Sequence, residues 1–134
     1  MAEPRFLTLA EVLYLHDESL RRFGGTTGLR EPGLVESALG SARNVFWYGH
    51  GDTYEIAAAY AFHIAESQVF LDGNKRTGAS AAIAFLTING VRFPKDDGSV
   101  YRAMIEIAES VWTRMDWQEL SAGWLNQQNK DDSR

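Results

Sequence analysis

The sequence contains no cysteine and only three prolines among its 134 residues. Without cysteine the chain can form neither a disulfide framework nor a thiolate metal site, and such a composition suits a reducing compartment. No stretch reaches the roughly 18 consecutive apolar residues of a membrane-spanning helix. The first residues, Met1 to Arg5, lack the basic and then apolar layout of a signal peptide. We therefore expect a cytoplasmic protein that does not bind membranes.

Positive charge is also scarce. Thirteen Lys and Arg residues face eighteen Asp and Glu residues, for a formal net charge of −5. This balance weighs against nucleic-acid binding by the chain itself. The chain is 45% hydrophobic and 12% aromatic, which is enough to build a core at this length. We expect one domain spanning residues 1–134, with a core at about 6–127 and a polar tail at 128–134.

Helical periodicity dominates the segments between the glycines and prolines. The predicted fold class is all-α, a compact bundle of about six helices around two buried central helices. The helix predicted from Thr8 begins with a capping box to Glu11, and the one predicted from Thr53 begins with a capping box between Asp52 and Glu55. The predicted helices cover residues 8–23, a short segment from Pro32, 53–67, 74–88, 99–112 and 116–127.

The third and fourth predicted helices are apolar or small on nearly every side. Residues 56–64 have no polar side except His63, and residues 74–88 combine small with large apolar side chains. A helix that is apolar all round is a buried one, so this pair should form the centre. Residues 44–51 are predicted to be an aromatic loop, either a flap for a target protein or a plug at the core edge. Only this loop and residues 91–93 suit short strands.

The connection between the two buried helices has the strongest chemical signal. Phe70 can anchor it in the core, and Gly73 permits backbone angles that other residues resist. The free N–H groups of a helix start bind anions, and Lys75 and Arg76 add positive charge where acidic residues are normally found. A bound polyphosphate would explain why basic residues stand at this helix start, and Asp72 would then hold a magnesium ion. The alternative is a solvated turn in which Asp72 only caps the helix.

The segment QVFLDGNKRTG at residues 68–78 resembles the Fic/Doc family motif, His-x-Phe-x-Asp/Glu-Gly/Ala-Asn-Lys/Gly-Arg. Further similarity to the Doc (death-on-curing) branch covers roughly residues 6–125. It is carried by Leu15-His16-Asp17, Gly24-Gly25, residues 28–34, Glu36-Ser37-Ala38, Phe85-Leu86 and Asn89-Gly90. The resemblance implies a toxin of a toxin–antitoxin system that transfers a phosphoryl or adenylyl group from ATP to a protein hydroxyl, for instance on a translation elongation factor.

The resemblance also implies roles for individual residues. Phe70 would anchor the loop, and Asp72 would hold Mg²⁺. The phosphates of ATP would be cradled by the four residues that follow, Gly73, Asn74, Lys75 and Arg76. Within this set, Asp72, Lys75 and Arg76, together with the residue at position 68, would form the catalytic group.

Two positions depart from the family pattern. Many AMP-transferring members have a second arginine where this chain has Ala79, and this departure, shared with Doc, favours phosphoryl transfer, although Gly73 is more typical of the general Fic pattern. The catalytic histidine of the family is replaced by Gln68. A carboxamide cannot accept a proton near neutral pH, and loss of a general base lowers rates about 10²–10⁴-fold. The replacement is either natural divergence or a detoxifying mutation.

The histidines and the C-terminal tryptophans are better explained by packing than by a catalytic role. His63 lies about 140° around the helix from Gln68, so it is expected to be a core histidine and not a substitute base. His16 is expected to pack, although it could border the site, and His50 has no partner in sequence. Trp112, Trp117 and Trp124 are expected in the core.

Two functions therefore stay open. One is an ATP- and magnesium-dependent toxin; the other is an inactive pseudo-enzyme that binds nucleotide phosphate or an antitoxin. The family's self-inhibitory string, Ser/Thr-x-x-x-Glu-Gly/Asn, does not occur in the sequence. The resemblance thus implies inhibition by a separate, Phd-like antitoxin.

Overall fold

The computed structural model describes residues 3–91, which form four helices. They are α1 (Leu9–Phe23), α2 (Pro32–Trp47), α3 (Thr53–Ser67) and α4 (Asn74–Ile88). This part of the chain is helical, as predicted, with an isolated antiparallel bridge between Leu29 and Phe70. No helix within it has the length and apolar character needed to cross a bilayer. The helices predicted at 99–112 and 116–127, the three tryptophans there and the tail from 128 lie outside the described residues.

α1 and α3 begin where the capping boxes predict. The Thr8 hydroxyl accepts a hydrogen bond from the Glu11 N–H at 3.1 Å, and the Glu11 carboxylate accepts one from the Thr8 N–H at 2.9 Å. Asp52 and Glu55 form the same reciprocal pair at the start of α3. Each box satisfies two backbone donors that a helix start leaves free, so both starts are set locally.

α3 and α4 form the centre of the described fold, as predicted. Both bury their small residues against each other, and a Cβ atom added at Gly78 would lie 2.6 Å from the Ala61 main-chain oxygen. Glycine is therefore required there for the two backbones to approach. Phe62 departs most from the predicted burial of residues 56–64, since 43% of its surface is exposed, and Ala58 and His63 are half-buried. The buried residues of α3 are Ile56, Ala57, Ala59, Tyr60, Ala61 and Ile64.

α2 is longer than predicted, so the aromatic loop predicted at 44–51 begins only at Tyr48. The helix continues to Trp47, so Phe46 and Trp47 are helical. After Gly40 the chain has no glycine or proline until Gly49, and nothing interrupts the helical hydrogen bonds before that point. Phe46 also packs edge-on against Phe6, with ring centroids 6.0 Å apart. Tertiary packing thus extends the helix through residues whose aromatic character suggested a loop or strand.

The segment before α1 is fastened to the central pair. The Asn89 side chain accepts a hydrogen bond from the Arg5 N–H at 2.8 Å and donates one to the Arg5 carbonyl oxygen at 2.9 Å. The Leu7 N–H donates to the Tyr60 hydroxyl at 3.1 Å. These bonds hold the start of α1 against α3 and the end of α4, which positions the buried face of α1 near the α3–α4 connection.

Candidate functional site

The α3–α4 connection is bracketed by two residues in the left-handed backbone region. Gln68 ends α3 with φ 49°, and Gly73 precedes α4 with φ 76°. Between them, Val69 and Phe70 are buried with 0% and 1% of their surfaces exposed. Phe70 therefore occupies the core position predicted for an anchor, and the connection is a tight turn held from inside.

Asn74 closes this turn with its side chain. Its Oδ1 accepts a hydrogen bond from the Phe70 N–H at 2.8 Å, and its Nδ2 donates to the Phe70 carbonyl oxygen at 2.9 Å. The amide oxygen and one amide N–H are thus bonded to the backbone of the anchor residue. Asn74 shapes the turn through its side chain and has its backbone N–H at the start of α4 available to a ligand.

A second segment, residues 24–31, lies along the turn. The Arg30 N–H donates to the Val69 carbonyl oxygen, and the Leu71 N–H donates to the Gly28 carbonyl oxygen, both at 3.0 Å. Gly28 has φ 128°, and a Cβ atom there would lie 2.9 Å from the Leu71 side chain. The pairing therefore depends on glycine at position 28.

Asp72 is held by both segments. Its Oδ2 accepts a hydrogen bond from the Thr26 N–H at 3.2 Å, and its Oδ1 accepts one from the Gly73 N–H at 2.8 Å. The Thr26 N–H lowers the pKa of the Asp72 carboxyl below its usual value, and the Gly73 N–H and the positive charge of Arg76 act in the same direction. A Cβ atom at Gly25 would lie 2.7 Å from Oδ2. The carboxylate is thus kept ionised at a fixed place.

One face of α1 packs against the residues of the site. The His16 ring stacks on the Phe70 ring with centroids 3.7 Å apart and an interplanar angle of 7°. Its Nε2 lies 2.8 Å from the Asp72 carbonyl oxygen. One end of α1 also reaches Arg76, whose guanidinium lies 5.1 Å from the centre of the Phe23 ring, within cation–π distance.

The start of α4 is open to an anion. Among the described residues no side chain caps it, and its first turn contains no acidic residue. The helical bonds of α4 begin with the Thr77 N–H donating to the Gly73 carbonyl oxygen at 2.9 Å, so the three preceding N–H groups lack helical acceptors. The adjoining cavity has a volume of about 420 Å³ and is lined by Ala65, Gln68, Leu71, Asp72, Gly73, Asn74, Lys75 and Arg76.

The cavity brings together six of the seven predicted site residues; Phe70 lies beneath them in the core. Gln68 and Lys75 are exposed, while Asp72 and Arg76 are half-buried. Gly73 was predicted to help cradle phosphates, but its backbone N–H is already bonded to Asp72. The groups that could donate to an anion are therefore the backbone N–H groups of residues 74–76 and the side chains of Lys75 and Arg76.

The other histidines lie elsewhere. His63 does not line this cavity, and burial lowers its pKa. His50 lines a second cavity of about 390 Å³ with Phe46, Trp47, Gly51 and Asp52. Among residues 3–91 no group of three His, Asp or Glu residues could hold a metal ion by itself. A cation at Asp72 would therefore need ligands from elsewhere, such as phosphate oxygens and water.

Residues 24–31 contribute to the site although no site role was predicted for them. In the sequence, Gly24-Gly25 and residues 28–34 indicated only the family resemblance, whereas in the structure the Thr26 N–H and the Gly28 carbonyl oxygen hold the site. The available signal was the density of glycine, since Gly25 and Gly28 both have positive φ and both lie against site residues. Close approach of another backbone is one of the reasons for glycine.

Comparison with known proteins agrees with this geometry. A protein kinase named doc from Escherichia phage P1 is 35% identical over 89 residues, which cover 66% of this chain and 71% of the phage protein. A toxin named Doc from Mycolicibacterium smegmatis is 36% identical over 77 residues, covering 55% of this chain and 58% of that protein. The model of the Fic/DOC family matches residues 6–86, which include all four described helices except the end of α4. The helices, the turn and the family match together show that this chain belongs to the Fic/DOC family.

Proposed function

We propose that this protein is the toxin of a toxin–antitoxin module, a cytoplasmic Doc-like transferase. Its reaction would move the γ-phosphoryl group of ATP to a hydroxyl of a target protein such as a translation elongation factor. The names of the two relatives support this proposal. The single observation that carries it is the uncapped start of α4, with Lys75, Arg76 and Asp72 gathered around one cavity.

The cavity suits the phosphates of a nucleotide. Its volume of about 420 Å³ lies within the roughly 300–1,000 Å³ of small-molecule sites. The backbone N–H groups of residues 74–76 and the Arg76 guanidinium would hold phosphate oxygens. Each Asp72 carboxylate oxygen accepts one N–H bond and keeps a lone pair for Mg²⁺. When bound, the magnesium ion would neutralise phosphate charge during transfer.

Phosphoryl transfer is favoured over AMP transfer. Ala79 stands where many AMP-transferring family members have a second arginine, and it is fully buried in the α3–α4 core. A second guanidinium is therefore lacking on this helix face, and within residues 3–91 Arg76 is the arginine that lines the cavity. A site with one arginine at the phosphates supplies less positive charge along an extended polyphosphate.

Gln68 would limit the activity of the chain. Its side chain is exposed at the cavity that also contains Asp72 and Arg76, so it could hydrogen-bond and orient an incoming hydroxyl. It cannot remove the proton of that hydroxyl, because a carboxamide has no proton-accepting state near neutral pH. We propose that the protein is impaired for this reason.

The test is the substitution Gln68→His. The backbone at position 68 has φ 49°, and histidine is enriched among the residues that adopt this left-handed region, so the turn should accept it. Transfer of label from ATP to a cellular protein should rise about 10²–10⁴-fold, the usual contribution of a general base. Growth should arrest on induction. Gln68→Asn is the matched control, because it changes the side chain without adding a base.

The position of the label identifies the reaction. Label from γ-labelled ATP means phosphoryl transfer, and label from α-labelled ATP means AMP transfer. If Gln68→His binds ATP but transfers nothing, the chain is a pseudo-enzyme that serves as a nucleotide- or antitoxin-binding protein. Full activity of the unsubstituted protein would show that position 68 is not the base, and His63 and His16 would then be the next residues to substitute.

A further inference from the structure

We propose that His16 is a positioning residue that sets the shape of the turn at residues 68–74. Only 3% of its surface is exposed, and it lies on the buried face of α1, 56 residues before the carbonyl group that it contacts. The proposal rests on the function proposed above only where it concerns anion binding. Its structural part, that His16 holds the turn, stands by itself.

The first contact is a hydrogen bond to the backbone of Asp72. A carbonyl oxygen only accepts, so the His16 Nε2 at 2.8 Å must carry the proton and donate it. The Asp72 carbonyl belongs to the same peptide group as the Gly73 N–H, which in turn donates to the Asp72 carboxylate. Since a peptide group is planar, fixing the carbonyl oxygen also fixes this N–H and, through it, the carboxylate.

The hydrogen bond also gives the Asp72 carbonyl oxygen a donor that the helical bonds of α4 do not provide. The helical bonds of α4 begin one residue later, at the Gly73 carbonyl oxygen. The Asp72 carbonyl is the last acceptor before the helix, and a buried acceptor without a donor is unfavourable. His16 therefore provides the donor at the junction between the turn and α4.

The second contact is the stacking of the His16 ring on Phe70. The ring centroids are 3.7 Å apart and the planes are nearly parallel, at 7°. The Phe70 backbone is held by Asn74 and is paired with Leu29. One imidazole thus contacts both the anchor residue and Asp72, two residues before α4. This double contact orients the carboxylate and the N–H groups that surround the cavity.

The two contacts can be removed separately. His16→Phe keeps an aromatic ring for Phe70 and loses the donor, whereas His16→Gln keeps an N–H donor and loses the ring. His63→Phe is the matched control, because His63 is half-buried and does not line the cavity. Two measurements are made on each variant: calorimetric binding of ATP and of inorganic phosphate, and amide hydrogen exchange of the Leu71 N–H, which donates to Gly28, and of Tyr60 in α3.

The proposal predicts a local effect. His16→Phe should weaken anion binding about three- to tenfold, the usual effect of a single hydrogen bond, and should speed exchange at Leu71 by a similar factor. Exchange at Tyr60 should stay unchanged, since local opening of the turn leaves the core closed. His16→Gln should recover at least part of the Leu71 protection, and His63→Phe should change neither measurement.

Two results would overturn the proposal. One is unchanged Leu71 exchange in His16→Phe; the other is equal acceleration at Leu71 and Tyr60 in both His16 variants, which would mean general destabilisation. If His16→Phe does not fold, amide exchange in His16→Gln decides the role of the hydrogen bond. This variant keeps the donor, so rapid exchange at Leu71 with slow exchange at Tyr60 would show that the hydrogen bond does not hold the turn. If the unsubstituted protein binds neither ATP nor phosphate, the proposed function fails, while the exchange data still decide the role of His16.

Discussion

At the scale of single residues, the site is made of groups whose polar atoms are already committed. The Asn74 amide is bonded to Phe70, and the Asp72 carboxylate is bonded to Thr26 and Gly73. The groups left for an anion are the N–H groups at the start of α4 and the two cationic side chains there, while each Asp72 oxygen keeps a lone pair for a cation. Catalytic power would then come from preorganised donors, which do not need to reorient when an anion binds.

Arg76 should dominate anion binding among the side chains. Its guanidinium lines the cavity and is placed over Phe23. A hydrogen bond to a charged group contributes about 1.5–3 kcal/mol, so Arg76→Ala should weaken ATP binding about 10- to 150-fold in calorimetry. Arg43→Ala is the charge-matched control, because Arg43 lies on α2 and outside the cavity. Equal affinities of the Arg76→Ala variant and the unsubstituted protein would refute the anion site.

Asp72 should make stability depend on pH in the acid range. Its pKa in the folded protein is below the usual 3.8, mainly because of the Thr26 N–H. A lowered pKa means stabilisation that is complete above 3.8 and is lost as the pH falls through the folded value. Asp72→Asn should therefore reduce the free energy of unfolding at about pH 6 and do so less at about pH 3. Urea unfolding of both proteins measures this, and a pH-independent difference would contradict it.

At the scale of secondary-structure elements, α1 is the platform of the site. His16, Leu20 and Phe23 are spaced four and three residues apart, so they lie on one helix face. His16 contacts Phe70, Phe23 lies under Arg76, and a Cβ atom at Gly73 would lie 3.7 Å from the Leu20 side chain. The second half of α1 thus lies along the turn and the start of α4.

The close approach of α3 and α4 gives a prediction at this scale. A methyl group at Gly78 would meet the Ala61 main-chain oxygen at 2.6 Å, and backbone cannot rotate away as a side chain can. Gly78→Ala should therefore lower the free energy of unfolding by about 1–3 kcal/mol, as overpacking does. Gly40→Ala is the control, because its added methyl would meet only the end of the Arg43 side chain, at 4.0 Å. That variant should be stabilised by about 0.5–1 kcal/mol. Equal stabilities of the two variants in urea unfolding would contradict this account.

The starts of the helices were the most predictable part of the fold. Those of α1 and α3 follow from capping boxes, and those of α2 and α4 agree with the predicted boundaries. These signals act between residues three apart, so they can be recognised in sequence. The end of α2 was missed because Phe46 and Trp47 have no strong local preference. Packing of Phe46 against Phe6, 40 residues away, favours the helix there.

At the scale of the whole molecule, the exposed apolar surface is consistent with a partner. Tyr48 is 82% exposed, and Leu71, which lines the cavity, is 56% exposed. The sequence has no self-inhibitory family motif. A relative of this chain is named as a toxin, and we propose for this chain a Phd-like antitoxin that covers a groove near the turn.

Binding to that antitoxin is testable with the product of the adjacent reading frame. The two proteins should coelute in size-exclusion chromatography, and the complex should unfold at a higher temperature than the toxin. A partner at 100 times its Kd adds about 2.7 kcal/mol to the free energy of unfolding. Leu71→Asp should weaken the complex, whereas Tyr14→Asp, at an exposed position on α1, should not. Lack of any association would count against the toxin–antitoxin assignment.

The sequence by itself determined the all-helical class of the described residues, the starts of their four helices, and the site residues that gather around the cavity. All of these depend on periodicity and on neighbours a few positions apart, and residues 68–76 are contiguous. The tertiary structure alone decided what supports them. His16 meets Asp72 across 56 positions and Thr26 meets Asp72 across 46. Periodicity shows which face of a helix is buried, but the partner of that face depends on how the helices pack.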